Sequence, residues 1–487
     1  MLDGYCWPQS VRPGEEVGLH VSSDAGAVGV EVARVGVERE VVWAADAVPA
    51  PPREVPQDAA ARGCAWPVTT TLRVPDDWRS GVYLVSLSDA DDVARAFFAV
   101  RPAPRDERPI LLVLSTSTYA AYNDWGGPSL YTGGTRVSFE RPLPRGFLDK
   151  PEPAVRKAQA EPDREALAYF AWAEEHGLSP WSGGAGWWTW ERPFVEWAEG
   201  EGFGIDVATS QDLELRPEVL DGHRLVLSVG HDEYWSWGMR DAVEAFVAGG
   251  GNAAFLGGNT CWWQVRFEDD GRAITCFKYR ADEDPVVGTA RERLLTGAWP
   301  DRRIGRPESA LTGLSFSRGG YSRYGLGVPR ASGAYTVWRP EHWAFEGTGL
   351  RYGDALGLAD AIVGYEVDGC ELALVDGLPT PTHADGAPTS LEVLASAPAR
   401  LWARDEQPSR YAGEPGELEH VAMALYGDGW EANVHRVANN HAVVGCFDVP
   451  GGGTVFNAGC TDWTYGLSGG DAAVRQVTRN VLRRLSA

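Results

Sequence analysis

From about residue 10 to residue 100, apolar and polar positions alternate over short stretches, Val17-Gly-Leu-His-Val21, Thr70-Thr-Leu-Arg-Val74 and Gly81-Val-Tyr-Leu-Val-Ser-Leu87, separated by Gly, Pro and Asp turns. Alternation gives a strand one apolar face, and repeated short strands between turn residues predict an all-β, immunoglobulin-like sandwich over residues 1–100. The pattern then breaks. Arg101-Pro-Ala-Pro-Arg-Asp-Glu-Arg-Pro109 has the charged, proline-rich composition of a linker. Ile110-Leu-Leu-Val-Leu114 follows as an uninterrupted apolar run, the pattern of a strand covered on both faces.

Three more units of that kind come later: Gly204-Ile-Asp-Val-Ala-Thr209, Leu225-Val-Leu-Ser-Val229 and Asn252-Ala-Ala-Phe-Leu256. Between the last two, Met239, Val243, Phe246 and Val247 recur at helical spacing, after Ser236 and before Gly249-Gly-Gly251. This predicts a helix over 237–248 and a βαβ crossover. Thr454-Val-Phe-Asn-Ala458 reads as another strand, and Val474, Val477, Val481 and Leu485 as the apolar stripe of a last helix over 471–485. The expected architecture is an α/β core over 110–487 with a mainly parallel sheet, glutamine-amidotransferase-like or flavodoxin-like. A β-rich insertion is expected at about 280–450, where Gly, Thr and alternating Val/Ala replace helical periodicity.

A chain of 487 residues with a 44% hydrophobic share carries enough apolar material for two or three domains. No basic segment followed by an apolar run opens the chain, and no stretch reaches membrane-spanning length, so the expectation is a soluble, cytoplasmic protein without a membrane partner. The seven cysteines, Cys6, Cys64, Cys261, Cys276, Cys370, Cys446 and Cys460, contain no C-x-x-C pair. That disfavours a disulfide framework and a thiolate zinc site. The net charge of −24 is spread along the chain and disfavours nucleic acid as a partner.

In open α/β sheets, ligands bind beyond the carboxyl ends of the strands. The segments that follow the apolar runs are polar: Ser115-Thr-Ser-Thr-Tyr-Ala-Ala-Tyr-Asn-Asp-Trp-Gly-Gly-Pro-Ser-Leu-Tyr131, Gly230-His-Asp-Glu-Tyr-Trp-Ser236 and Gly257-Gly-Asn-Thr-Cys-Trp-Trp263. Together with Gly249-Gly-Gly-Asn-Ala-Ala-Phe-Leu-Gly-Gly-Asn259, Gly364-Tyr-Glu-Val-Asp368 and Gly459-Cys-Thr-Asp-Trp463, these strings resemble the core of the N,N-dimethylformamidase large-subunit family. The resemblance covers roughly residues 100–487 and is weaker over the sandwich.

The resemblance implies a hydrolase that cleaves the C–N bond of a small N-substituted amide or formamide. It further implies a mononuclear ferric ion bound by Glu233, Tyr131 and either Tyr122 or Tyr119, with His231, Asn259 and Glu366 as catalytic neighbours. The donor set suits a hard trivalent cation, since three anionic oxygens would balance its charge. A phenol with a pKa near ~10 ionises at neutral pH when bound directly to such an ion. His231 or Glu366 would move the water proton, and Asn259 would donate to the carbonyl or the oxyanion. The implied partners are the amide substrate, a homo-oligomer and a small subunit, for which this chain carries no identifying feature.

Each residue has a plainer alternative. Tyr119, Tyr122 and Tyr131 suit amphipathic packing; Glu233 suits the start of a helix and His231 a backbone hydrogen bond. Glu366 suits a solvated strand, and Asn259 a turn. The tryptophan-rich run Trp181–Trp190 is either a lid or pocket wall, which would fit a substrate bulkier than dimethylformamide, or ordinary packing. The alternative functions are a non-catalytic binding or scaffold protein with the same fold, and a thiol-dependent hydrolase using Cys261. The second lacks a Gly-x-Cys-x-Gly elbow. Gly249–Gly251 end a helix rather than open one, which makes a poor phosphate cradle.

Overall fold

A computed structural model describes residues 1–104, 106–156, 162–324, 332–404, 406 and 416–487, with the backbone alone for 162–167. Lys157, one of only three lysines in the sequence, lies outside the described residues. The chain forms two compact units, Met1–Ala154 with Ala173–His223 and Phe267–Thr275, and Val155–Trp172 with Arg224–Arg266 and Cys276–Ala487.

In the first unit, the strands Leu2–Trp7, Glu16–Ser23 and Thr70–Arg73 form an antiparallel sheet. A second sheet runs in the order Ser10–Val11, Val93–Val100, Gly81–Ser88, Gly26–Val35, Arg39–Ala50. Val17, Val21, Val30, Val32, Val85 and Phe98 belong to one buried apolar cluster. Their every-other-residue spacing reflects the pleat, which turns successive side chains to opposite faces. Ile110–Leu114, buried at every position, pairs in parallel with Ile205–Thr209.

The second unit holds a mixed sheet. Leu225–His231, Asn252–Gly258 and Thr454–Asn457 run parallel. Asn440–Asp448, Glu392–Ala399, Tyr335–Val337 and Ala355–Leu356 then continue the sheet by antiparallel pairing. The crossover helix Trp237–Ala248 begins at Ser236, whose side chain accepts a hydrogen bond from Met239 N, and ends at Gly249. The terminal helix Ala472–Leu485 is capped by Asp471 and buries Val474, Val477, Val481 and Leu485. Beside the sheet, Ser315–Tyr321 pairs antiparallel with Glu366–Gly369.

These findings overturn the expected α/β core. Among the described residues, strand exceeds helix, about 32% against 24%, and the sheets are mixed rather than mainly parallel, glutamine-amidotransferase-like or flavodoxin-like. The β-rich stretch 280–450 is no insertion into a finished core, because its strands complete the sheet that the parallel strands begin. The physical reason lies at Thr454–Asn457: one edge pairs in parallel with Asn252–Gly258, while the other accepts Asn440–Asp448 in antiparallel register. A strand sequence that is buried on both faces is compatible with either direction. Among the described residues, no helix is long and apolar enough to cross a membrane.

Candidate active site

Two clusters gather the residues singled out from the sequence. In the first unit, Ser115-to-Tyr131 is not the simple loop its polarity suggested, because Thr116–Tyr122 is a short helix buried throughout. The chain then folds back on that helix: Leu130 N bonds to Ala121 O at 3.0 Å, and Ser129 Oγ accepts from Tyr131 N at 3.1 Å. The turn lays Tyr131 against Tyr122, with ring centroids 4.2 Å apart and the Tyr131 hydroxyl donating to Tyr122 Oη at 2.7 Å. Trp181 packs on the pair, with its ring 5.2 Å from Tyr131 and 6.1 Å from Tyr122.

Tyr119, one helical turn earlier, points its hydroxyl at Glu191, which also accepts from Ser115 N at 3.0 Å and Ser115 Oγ at 2.9 Å. Tyr122, rather than Tyr119, therefore shares a locus with Tyr131. Two phenol oxygens at hydrogen-bond distance form a compact pair of oxygen donors.

In the second unit, three strand ends converge. Leu225–His231 delivers His231 and, two residues on, Glu233; Asn252–Gly258 delivers Asn259; Glu366–Gly369 contributes Glu366 and Asp368. His231 Nε2 lies 2.7 Å from Glu366 Oε2 and 3.5 Å from Glu233 Oε2. Asn259 Nδ2 donates to Glu366 Oε2 at 3.0 Å and lies 3.4 Å from His231 Nε2. Trp263 Nε1 donates to the other Glu233 oxygen at 2.7 Å. Gly258 permits this convergence, since an added Cβ would come within 2.5 Å of Glu366 O.

The sequence reading missed the shell around this cluster. Asp368 accepts from Asn259 N at 2.9 Å and from Thr260 N at 3.1 Å, and burial pushes its carboxyl up to about 7. Asp232, held by Ser228 Oγ at 2.9 Å, is pushed by burial up to about 7. Glu417 accepts from Tyr321 Oη at 2.8 Å; burial pushes it up to about 8, and the charges of Glu366 and Glu233 act in the same direction. Tyr321 stacks on Trp402 at 3.9 Å, and Tyr365 meets His231 edge-on at 6.0 Å, so aromatic rings line this side of the cluster. Lys278 is buried, with its ammonium 5.2 Å from the Trp263 ring and 5.5 Å from that of Tyr279. The one available signal was two acids at i and i+2, Glu366 and Asp368, in a strand whose other residues are apolar or glycine.

The arrangement suits proton transfer, because a histidine and a carboxylate share a short contact away from solvent and a carboxamide is fixed beside them. Cys261 is a different case. It is fully buried, and desolvation raises its thiol well above the usual range. A thiol held protonated is a poor nucleophile.

The family model described as "N,N-dimethylformamidase beta subunit-like, C-terminal" matches residues 29–476. The chain belongs to this family. The dimethylformamidase beta-like match takes in most of the N-terminal sandwich and so reaches further than the roughly 100–487 read from the motifs. Two curated relatives are the N,N-dimethylformamidase beta subunits of Alcaligenes sp and Paracoccus aminophilus. The first is 25% identical over 86% of this chain and 54% of its own length, the second 24% identical over the same shares. This dimethylformamidase beta-like chain thus spans about half the length of the curated relatives it matches. One solved structure, a chimeric titin Z1Z2-Z1Z2 tandem, aligns over 23% of this chain and 55% of its own at 11% identity and a TM-score of 0.13, which is too slight a likeness to carry an argument.

Proposed function

We propose that the chain is the catalytic subunit of an amide hydrolase that cleaves the C–N bond of a small N-substituted amide, with formamides as the first class to test. The observation that carries the proposal is the buried His231–Glu366–Asn259 cluster in a chain of the dimethylformamidase beta-like family.

In this reading His231 and Glu366 act as one proton-handling pair. They take a proton from the attacking water and return one to the departing nitrogen, so that water and amide become a carboxylic acid and an amine. The Asn259 amide has a second hydrogen beyond the one given to Glu366, and that hydrogen is the donor for the carbonyl oxygen as charge develops there. Asn259 Oδ1 is buried without a hydrogen-bond partner among the described residues, which makes it an acceptor for the attacking water.

The proposed cofactor is a mononuclear iron(III), for which the family resemblance implies Tyr122, Tyr131 and Glu233 as ligands. The donor chemistry fits: two phenol oxygens 2.7 Å apart and a carboxylate oriented by Trp263 are hard anionic ligands once ionised. Among the described residues, no group of three or more His, Cys, Asp and Glu is arranged to hold a metal, so the phenols are essential to this set. Bound there, the ion would supply Lewis acidity toward the carbonyl oxygen and acidify a water. The relatives' designation as beta subunits supports an assembly with further chains, whether copies of this one or a small subunit.

Elemental analysis with a visible absorption spectrum tests the cofactor assignment. Stoichiometric iron and a tyrosinate-to-iron charge-transfer band are expected; a purified, reconstituted protein that binds no iron would sink it.

A further inference from the structure

The proposed role of Asn259 demands a fixed side chain, yet its backbone is in a conformation that L residues disfavour. Its φ is +51°, and Cys261, two residues on, is at +58°. Two such residues within one short turn persist only where their surroundings over-determine them. Downstream, Cys261 N bonds to Asp232 O at 2.8 Å and Trp263 N to Glu233 O at 2.9 Å. At Asn259 itself, the N–H groups of Asn259 and Thr260 both point at one buried carboxylate, that of Asp368, at 2.9 and 3.1 Å.

Asp368 shares a strand with Glu366 at i and i+2, positions whose side chains leave the same face. Glu366 holds the Asn259 side chain, and Asp368 holds its main chain. The strand is itself fixed on both sides of the grip, by Asp368 N to Gly459 O at 3.0 Å and by Thr461 N to Glu366 O at 3.0 Å. Asp368 is 1% exposed, and desolvation works against its charge. An acid kept in such a place serves the two N–H groups it receives, because a carboxylate offers acceptors on both oxygens and a protonated or amidated group offers fewer.

We propose that Asp368 is a positioning residue: its carboxylate, gripping the N–H groups of Asn259 and Thr260, locks the turn in which Asn259 is left-handed, and so sets the Asn259 carboxamide at the reacting carbonyl. The proposal rests on the amide-hydrolase reading for its catalytic consequence. Its structural part stands apart from that reading.

The test is a double-mutant cycle between Asp368→Asn and Asn259→Ala with N,N-dimethylformamide as probe, alongside hydrogen exchange of the peptide spanning residues 257–263. Asp368→Asn should lower kcat by about 10²-fold through misplacement of the carboxamide, with KM little changed. The double variant should be no slower than the worse single variant, since both changes remove one function. Multiplying losses would overturn the proposal. Exchange at Asn259 and Thr260 should quicken by at least about tenfold while the terminal helix keeps its protection, and unchanged exchange would overturn the proposal whether or not the probe is hydrolysed. A wild-type protein inert toward the probe would count against the amide-hydrolase reading, leaving the exchange result to decide the positioning role. Should Asp368→Asn not accumulate as folded protein, Asp368→Glu, which keeps the carboxylate but carries it one methylene away from the two N–H groups, makes the same comparison.

Discussion

His231 Nε2 stands 2.7 Å from Glu366 Oε2, with both side chains almost wholly withdrawn from solvent. A short contact of this kind behaves as one unit, because removing either partner leaves the other without its means of gaining or losing a proton. Glu366→Gln keeps the volume and the hydrogen bonds of one oxygen but cannot accept a proton. It should lower kcat by about 10²- to 10⁴-fold while iron content stays at the wild-type level. Steady-state kinetics and metal analysis on the same preparation check this, and a wild-type rate would remove the pair from the mechanism.

Glu233 is oriented by Trp263, whose Nε1 donates to one of its oxygens at 2.7 Å. Glu233→Gln should lose iron and activity together. Trp263→Phe, which removes only the orienting hydrogen bond, should weaken iron binding by about 10- to 100-fold. Competition with a chelator measures both, and full loading of Glu233→Gln would end its candidacy as a ligand.

The two tyrosines of the Thr116–Tyr122 helix should respond differently. Tyr122→Phe should weaken the charge-transfer band, because it removes one of the two proposed phenolate ligands and leaves Tyr131. Tyr119→Phe should keep the band and cost about 1–3 kcal/mol of stability, because Glu191 loses a buried donor. Absorption spectra and denaturant titration separate these outcomes, and the reverse pattern would assign the ligand role to Tyr119.

Away from the site, Glu308 gives a pH signature of folding. It is fully buried, accepts from Ser315 Oγ at 2.5 Å, and is pushed by burial from 4.5 up to about 8. Folding therefore favours its protonated form: the stabilisation is complete below about pH 4.5 and is lost as pH rises toward about 8, on the order of a few kcal/mol. Glu308→Gln should flatten the fall in thermal midpoint between pH 5 and pH 8. Parallel curves for variant and wild type would show that Glu308 does not titrate in that window.

How much of this was legible in the sequence depended on whether local signals and burial agreed. The helix Trp237–Ala248 was readable to the residue because Ser236, the apolar stripe and Gly249 mark its start, face and end. Thr116–Tyr122 was not, since all seven of its residues are buried and leave no polar face to reveal a period. The direction of the strands after residue 280 escaped for the same reason: Ala442, Val443 and Val444 are apolar whichever way their neighbours run. Tyr122 and Tyr131 in one unit, and His231, Glu233, Asn259 and Glu366 in the other, were singled out through motif resemblance and fall into two local clusters. Asp368 and Glu417 were not singled out, because an acid within a strand or in the first turn of a helix looks solvent-facing until the fold shows what it faces.

Incubating the iron-loaded protein with N,N-dimethylformamide and a panel of bulkier N-substituted amides, and measuring released amine and acid together, decides whether this chain is an amide hydrolase. At least one substrate should yield amine and acid in equal amounts, and His231→Ala should stop this release while retaining iron. Release of neither product by the fully loaded protein from any member of the panel, or a wild-type rate in His231→Ala, would overturn the assignment.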